Sequence, residues 1–403
     1  MSVLLSDGQV VERPVGSGPS LFRLAFRPFF LLGALFSVIS ILLWAGMFSG
    51  LVAVSPFGGA LWWHSHEMLF GFVVAIIVGF LLTAVQTWTG SAGIRGWQLS
   101  GLVLLWLSAR VGLFYPAGLP GWAVTALDLS FLPVAAVVLA TPILRIRQWR
   151  NSVFVPILLA MTVANAMFHA AVYRGDPGLQ GMAGNFMVML VVLLMTVVAG
   201  RVVPMFTANG TGTERVPSLV WLERLSPALM LLAIPAGMSI DVMPDGLAAG
   251  LLLLAAGCQG FRVLRWRTWV TLSTPLVWTL HLSYWSIAIG LALLAVAQVT
   301  DLLSHSQALH ALTVGAIGMM ILAMISRVSL GHTGRPLVVG PVMVFAYVAL
   351  ALAALLRVGG PVWLQDYRAV VVGTAALWAM AYGLFVIVYL PILARPRPDG
   401  RPG

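Results

Sequence analysis

Seven histidines are the side chains of this 403-residue sequence with the clearest capacity for chemistry, and most of them lie in strongly apolar stretches. Imidazole is costly to place in hydrocarbon without a partner, so histidines at such positions indicate functional sites by default. Their neutral ring nitrogens bind transition metals and haem iron. The alternative for each ring is a structural hydrogen bond to a backbone carbonyl.

Four of the histidines share one depth if the apolar stretches are helices with about 1.5 Å of rise per residue. His64 and His66 open the second stretch, His310 opens the tenth, and His169 lies near the end of the fifth. We therefore predict that His66, His169 and His310 meet at one metal or haem site, within a turn or two of the outer membrane surface.

The quartet His64-Ser65-His66-Glu67 carries the most information. Residues two apart on a helix point about 200° apart, so His64 and His66 are expected to address different neighbours. Two sites, or one site and one hydrogen bond, would follow, and we predict His64 to be a metal ligand. Glu67 is predicted to act in catalysis as a proton donor; the alternative is a surface carboxylate at a helix N-terminus.

The three other histidines lie elsewhere. His281 is about ten residues into the ninth stretch, the deepest of the seven, and His305 falls in the loop before the tenth. His332 follows His310 by 22 residues, about 33 Å along a helix, so the two cannot serve one metal. His281 and His332 are candidate cofactor ligands; for His332 the alternative is a role in a helix cap.

Two arginines are further candidates for binding a cofactor. Arg201 and Arg327 lie one or two turns inside the inner ends of the sixth and tenth stretches. A buried guanidinium pairs with a bidentate oxyanion such as a haem propionate; the alternative is that these side chains extend to the membrane surface. The single cysteine, Cys258, excludes an internal disulfide and a Cys-rich metal site.

The composition places these residues in a membrane. Hydrophobic residues make up 60% of the chain and charged residues 8%, which leaves too little polar surface to cover soluble domains. The net charge of +10 comes from 22 arginines against 12 acidic residues, and the arginines lie between apolar runs. This charge therefore indicates membrane orientation and not nucleic-acid binding.

The sequence predicts an all-α membrane protein of twelve transmembrane helices, since about 20 apolar residues cross the hydrocarbon core. The predicted spans are 28–49, 64–88, 98–115, 121–143, 152–173, 183–207, 223–240, 243–264, 271–298, 307–330, 337–357 and 367–393. They form one membrane domain, 28–393, between an N-terminal segment, 1–27, and a C-terminal tail, 394–403. Only Arg110, Arg174, Arg357 and Arg368 lie opposite the termini, so the positive-inside rule places both termini in the cytoplasm.

A faint internal repeat accompanies these spans. A shift of 244 residues aligns His66 with His310 and the second span with the tenth, and a shift of 126 aligns Arg201 with Arg327 and the sixth span with the tenth. The recurrence every four spans predicts three four-helix units. Chance matching of short motifs in an apolar background is the alternative.

The motifs of the chain resemble those of the NnrS family from about residue 22 to residue 393. They are Phe26-Arg27-Pro28-Phe29-Phe30, Trp63-His64-Ser65-His66-Glu67-Met68, Trp88-Thr89-Gly90, Phe168-His169, Gly200-Arg201-Val202-Val203-Pro204, His310-Ala311-Leu312-Thr313-Val314-Gly315 and Gly331-His332-Thr333-Gly334-Arg335. The resemblance implies a bacterial membrane protein that contains haem and copper and is associated with nitric oxide, denitrification and defence against nitrosative stress. The twelve spans in four-helix units also resemble the architecture of haem-copper oxidases, although the histidine pair of the oxidase copper site is missing.

The leading hypothesis is a redox protein of the bacterial inner membrane, of the nitric oxide reductase type, that reduces or scavenges nitric oxide. It would bind haem b, with copper as a second cofactor, and take electrons from a membrane donor such as quinol or a cytochrome. Nitric oxide is apolar and would arrive through the lipid bilayer. Two alternatives remain open: a haem sensor of nitric oxide without turnover, and a transporter of metal or of a small substrate.

Overall fold

Twelve long apolar helices form the protein, as predicted. The computed structural model describes residues 3–4, 10–11, 19–116, 118–238 and 243–400. The helices are α1 Phe26–Phe48, α2 Ala60–Thr89, α3 Trp97–Phe114, α4 Gly121–Arg145, α5 Trp149–Arg174, α6 Pro177–Thr211, α7 Val220–Gly237, α8 Asp245–Arg265, α9 Pro275–Val299, α10 His305–His332, α11 Pro341–Trp363 and α12 Tyr367–Ala394. A short antiparallel pair of strands, Val3–Leu4 with Val10–Val11, precedes them. The all-α fold of a multi-pass membrane protein is thus confirmed.

Three helices lie at the centre of the bundle, and they recur every four. In α2, α6 and α10, 83%, 67% and 83% of the most apolar segment is buried inside the protein, whereas in the other helices the share is 39–50%. Helix α6 contacts both α2 and α10, and α1 packs against α12. The central helices are those that the internal repeat aligned, which agrees with three units of four helices.

The two most buried helices contain matching π-helical segments. These segments are Glu67–Val73 in α2 and Ala311–Gly318 in α10, and their first residues differ by the same 244 positions as the sequence repeat. In each segment a backbone carbonyl accepts a hydrogen bond from an aromatic side chain of a neighbouring helix. Trp106 donates to Gly71 over 2.9 Å, and Tyr382 donates to Gly318 over 2.7 Å. Such π segments often occur at functional sites, and each one here directly follows a histidine.

The ends of the helices explain small departures from the predicted spans. Helix α10 begins at His305 because Ser304 forms a capping box with Gln307: the Ser304 hydroxyl accepts from the Gln307 backbone and Gln307 Oε1 accepts from the Ser304 backbone over 2.9 Å. His305, predicted in a loop, therefore lies in the first turn of α10. Helix α9 begins later than predicted, at Pro275, so His281 lies less deep in its helix.

The predicted orientation can be tested by cysteine labelling in intact bacterial cells. We call the end of the bundle that carries His64 and His310 the outer end, following that orientation. In a Cys258→Ser background, Arg174→Cys is expected to react with a membrane-impermeant maleimide, whereas Trp149→Cys, exposed at the opposite end, is expected to react only after the cells are opened. The reverse pattern would place the histidine-bearing end in the cytoplasm.

Candidate functional site

A cluster of buried polar side chains lies near the outer end, between α2, α3, α4 and α5. We call it the charged cluster. Its members are all at most 3% exposed and are His66, Glu67, Arg110, Asp128, Asn165 and His169. Arg110 is its anchor, because the guanidinium donates to Glu67 Oε1 over 2.8 Å and also forms an ion pair with Asp128. The cluster therefore balances at least part of its negative charge internally.

The two histidines of the cluster meet at Asp128. His66 Nε2 lies 3.1 Å and His169 Nε2 lies 3.0 Å from Asp128 Oδ2, and His66 Nδ1 lies 2.9 Å from Glu67 Oε1. A carboxylate only accepts hydrogen bonds, so His169 donates through Nε2. Its Nδ1 then accepts from the hydroxyl of Thr125, at 3.1 Å.

This arrangement forms a continuous hydrogen-bonded chain from the outer surface to Glu67. The chain starts at Tyr173, which is 56% exposed, and its hydroxyl lies 2.7 Å from that of Thr125. From Thr125 the chain continues through His169, Asp128 and His66 to Glu67. A chain of this kind can hold and relay protons.

The charged cluster also contains a possible metal site. The ligand atoms of His66, Asp128 and His169 lie within 4.8 Å of one another, and this is the one group of its kind in the described part of the chain. Two imidazoles and a carboxylate suit zinc or copper. However, both histidine nitrogens already hydrogen-bond to Asp128, and Asp128 also forms an ion pair with Arg110. The observed contacts therefore fit a charge-balanced network better than a bound cation.

A separate cavity of about 760 Å³ opens between α1, α2, α6, α10, α11 and α12. Ligand pockets typically measure about 300–1,000 Å³, so this cavity could hold a sizeable ligand. Its wall is mostly apolar and includes Trp44, Phe72 and Trp378. None of the described residues that line it is acidic, and the one arginine among them is Arg357.

Three histidines line the cavity: His305, whose Nε2 lies 3.2 Å from Asn185 Oδ1, and His64 and His310, which each have a ring nitrogen without a described protein partner. The ring of His64 stacks on Trp44 with centroids 4.4 Å apart, and its Nδ1 is buried without a hydrogen-bond partner. His310 donates from Nδ1 to the Ser306 carbonyl over 2.6 Å, so its lone pair is on Nε2. An imidazole held through one nitrogen in this way is the usual form of a metal ligand.

The structure divides the histidines differently from the predicted single outer site. His64 and His66 do address different neighbours, and His66 and His169 do meet. His310, however, is not with them: it lines the cavity together with His64, whereas neither His66 nor His169 lines it. The ring of Phe168 lies on the cavity wall and 5.8 Å from the ring of His66. Position along each helix therefore predicted the end of the bundle at which the histidines lie. It did not determine which neighbouring helices each histidine faces.

The remaining candidate histidines make contacts that are typical of structural residues. Both ring nitrogens of His281 lie near hydroxyls, Nε2 at 2.8 Å from Thr207 and Nδ1 at 3.2 Å from Thr268. His332 ends α10 at the inner end of the bundle, and its ring packs on that of Phe26 with centroids 5.5 Å apart. Neither residue lines the cavity.

The two candidate arginines also lie away from the cavity, in the inner half of the bundle. Arg201 donates to Asn151 Oδ1 over 2.7 Å, and Arg327 lies over the ring of Phe206 at 4.0 Å. Arg110 lies in the charged cluster and Arg357 lines the cavity. At the sequence level these two arginines served only as evidence for orientation. The available signal was their position inside a span, because a charge within the hydrocarbon region marks a functional or paired residue.

A small apolar pocket of about 70 Å³ lies deeper between the three central helices. Its wall, in the described residues, consists of hydrophobic side chains of α2, α6 and α10, with Phe30 of α1. Val73 and Ile317 line both this pocket and the large cavity. The two spaces therefore adjoin along the axis of the central helices.

The fold and the cavity define a polytopic, all-helical membrane protein with a histidine-lined cavity. A family model described as NnrS protein matches residues 20–397, nearly the whole chain, so the protein belongs to the NnrS family. This membership is consistent with a role in the response to nitric oxide. No curated protein matches the chain.

Proposed function

We propose that this protein binds haem b in the cavity of about 760 Å³ and reduces or scavenges nitric oxide there. The observation that carries the proposal concerns two of the three cavity histidines, His64 and His310. They come from different central helices, the two that contain π segments, and each has a ring nitrogen that no described protein group engages. Such nitrogens are the ligands that b-type haem iron requires.

The other features of the cavity fit haem as well. Its volume of about 760 Å³ and its largely apolar wall suit a flat, hydrophobic ligand. Haem also carries carboxylates, and Arg357 supplies a positive charge on a wall that lacks acidic side chains among the described residues. A bound haem would supply an iron that binds nitric oxide and that changes between its ferric and ferrous forms by transfer of one electron.

The surrounding residues would control access to the site. Apolar side chains exclude water from the cavity, and the small pocket between α2, α6 and α10 offers a hydrophobic space to an uncharged gas. Reduction of nitric oxide also consumes protons. We assign their supply to the chain of hydrogen bonds from Tyr173 to Glu67, in which the ring of His66 lies 5.8 Å from the ring of Phe168 on the cavity wall.

Copper, the second cofactor implied by the family resemblance, stays a prediction. Its candidate ligands are His66, Asp128 and His169. The ion pair of Asp128 with Arg110 opposes a further cation at this place. We therefore derive no chemical step from copper. We place the protein in the bacterial inner membrane with both termini in the cytoplasm, and we propose a quinol or a cytochrome as its electron donor.

Purification after expression with sufficient haem tests the proposal. The protein is expected to show a Soret band and a reduced-minus-oxidised spectrum of b-type haem, with about one haem per chain if the cavity is the site. Nitric oxide should shift the spectrum of the reduced protein, and an electrode measures whether the gas is consumed. A colourless protein without iron under these conditions would overturn the proposal and favour a transporter.

The structural interpretation of His281 gives a matched control. His281→Ala is expected to leave the haem spectrum unchanged and to lower stability by about 1–3 kcal/mol, because the hydroxyls of Thr207 and Thr268 lose their buried partner. Absorbance spectra and thermal unfolding in detergent measure the two effects. Loss of the Soret band in a folded His281→Ala protein would move the haem site towards the inner half.

A further inference from the structure

The wall of the large cavity carries hydrogen-bond donors without a protein partner. Arg357 Nη1, Thr374 Oγ1 and Trp378 Nε1 are buried and have none, and all three residues line the cavity. Guanidinium and indole groups can only donate, and a hydroxyl can do so as well. A ligand that satisfies these donors must have hydrogen-bond acceptor atoms, above all next to the cationic Arg357.

Contacts of the second terminal nitrogen, Nη2, hold the Arg357 guanidinium in place. Its Nη2 donates to Tyr367 Oη over 3.0 Å and lies 3.4 Å from Ser306 Oγ. The ring of Tyr367 lies 5.4 Å from the guanidinium carbon. Arg357 is only 8% exposed, and a buried cation without a counter-charge is strongly unfavourable. Neither Tyr367 nor Ser306 neutralises it, so an anion is its natural partner.

Ser306 connects this cation to the cavity histidine. The Ser306 hydroxyl lies within reach of Arg357, and the Ser306 carbonyl accepts from His310 Nδ1 over 2.6 Å. Both side chains are thus anchored to the first turn of α10, which the Ser304 capping box holds. An anionic group bound at Arg357 would lie close to a ligand bound at His310.

We infer that Arg357 binds a carboxylate of the cavity ligand, which, on the proposed function, is a haem propionate. The sequence predicted such a role for Arg201 and Arg327, which do not line the cavity. Arg357 acts as a positioning residue: it orients the haem relative to His310 and contributes positive charge near the iron.

The inference can be tested by comparing haem with haem dimethyl ester, in which both propionates are uncharged. The full-length protein, freed of cofactor and kept in detergent, is titrated with each compound. The wild type is expected to prefer haem by about tenfold to hundredfold, the effect of one charge-assisted hydrogen bond. Arg357→Gln should lose most of this preference, Arg357→Lys should keep part of it, and Arg368→Gln, an exposed arginine at the same end, should keep it all.

The midpoint potential gives a second measurement, which does not depend on catalysis. Removal of a positive charge near the iron stabilises its ferric form, so Arg357→Gln is expected to lower the potential while Arg357→Lys stays close to the wild type. If the wild type binds haem but Arg357→Gln changes neither the ester preference nor the potential, the inference is wrong and the proposed function stands. If the wild type binds neither compound, both the inference about Arg357 and the proposed function are wrong.

Discussion

Replacement of His310 by alanine is expected to remove most of the bound haem and its Soret band. His310 is one of three histidines that line the cavity, and its Nε2 is the nitrogen left free by the bond from Nδ1 to Ser306. If His310 binds the haem iron, its loss would remove the bond that retains the cofactor. His64→Ala should have the same effect if both rings ligate one iron. Absorbance per mole of purified, folded protein is the measurement.

Two controls separate ligation from general damage. His332→Ala should leave the band intact, since this residue lies at the opposite end of α10. Haem added together with imidazole should restore a low-spin spectrum to the His310→Ala protein, because imidazole can occupy the space of the missing ring. A His310→Ala protein with a normal haem content, next to a His66→Ala protein that has lost its haem but remains folded, would move the site from the cavity to the charged cluster.

Replacement of Arg110 by methionine is expected to destabilise the protein by about 3–5 kcal/mol, the usual effect of removing one partner from a buried ion pair. Arg110 is 3% exposed and is paired with both Glu67 and Asp128. Without it two buried carboxylates face each other near His66. Thermal unfolding and the yield of folded protein in detergent measure the effect.

The matched control for this change is Arg174→Met, an exposed arginine at the same end of the bundle, which should alter stability little. Adding Glu67→Gln to Arg110→Met removes one uncompensated charge and should restore part of the stability. A double variant that is no more stable than Arg110→Met would show that the charged cluster is not held together by charge balance.

The architecture of the protein could be predicted well from local patterns. Hydrophobic length determines where a span lies, because each helix must satisfy its own backbone in hydrocarbon. The repeat of 244 residues correctly paired α2 with α10, even to the start of their π segments at Glu67 and Ala311. The boundaries shifted where a cap such as Ser304 decided the first turn of a helix.

The candidate sites were harder to predict. Depth is a position along a single helix, and His64, His66, His169 and His310 do lie at the same end of the bundle. Their division between a charged cluster and a cavity depends on which helices face each one, and residue spacing does not contain that information. Asp128 illustrates the difficulty: it was not among the predicted site residues, yet it joins both cluster histidines.

The sequence by itself determined the membrane environment, the twelve helices, the family and the level of the histidines, because these follow from hydropathy, helical rise and motifs along one chain. Only the tertiary structure decided that His310 shares a cavity with His64 and Arg357, and that Arg110 neutralises Glu67 and Asp128. The physical reason is that a ligand site or a buried charge pair requires side chains from several helices. Their relative rotation and contacts are set by packing between helices far apart in the chain.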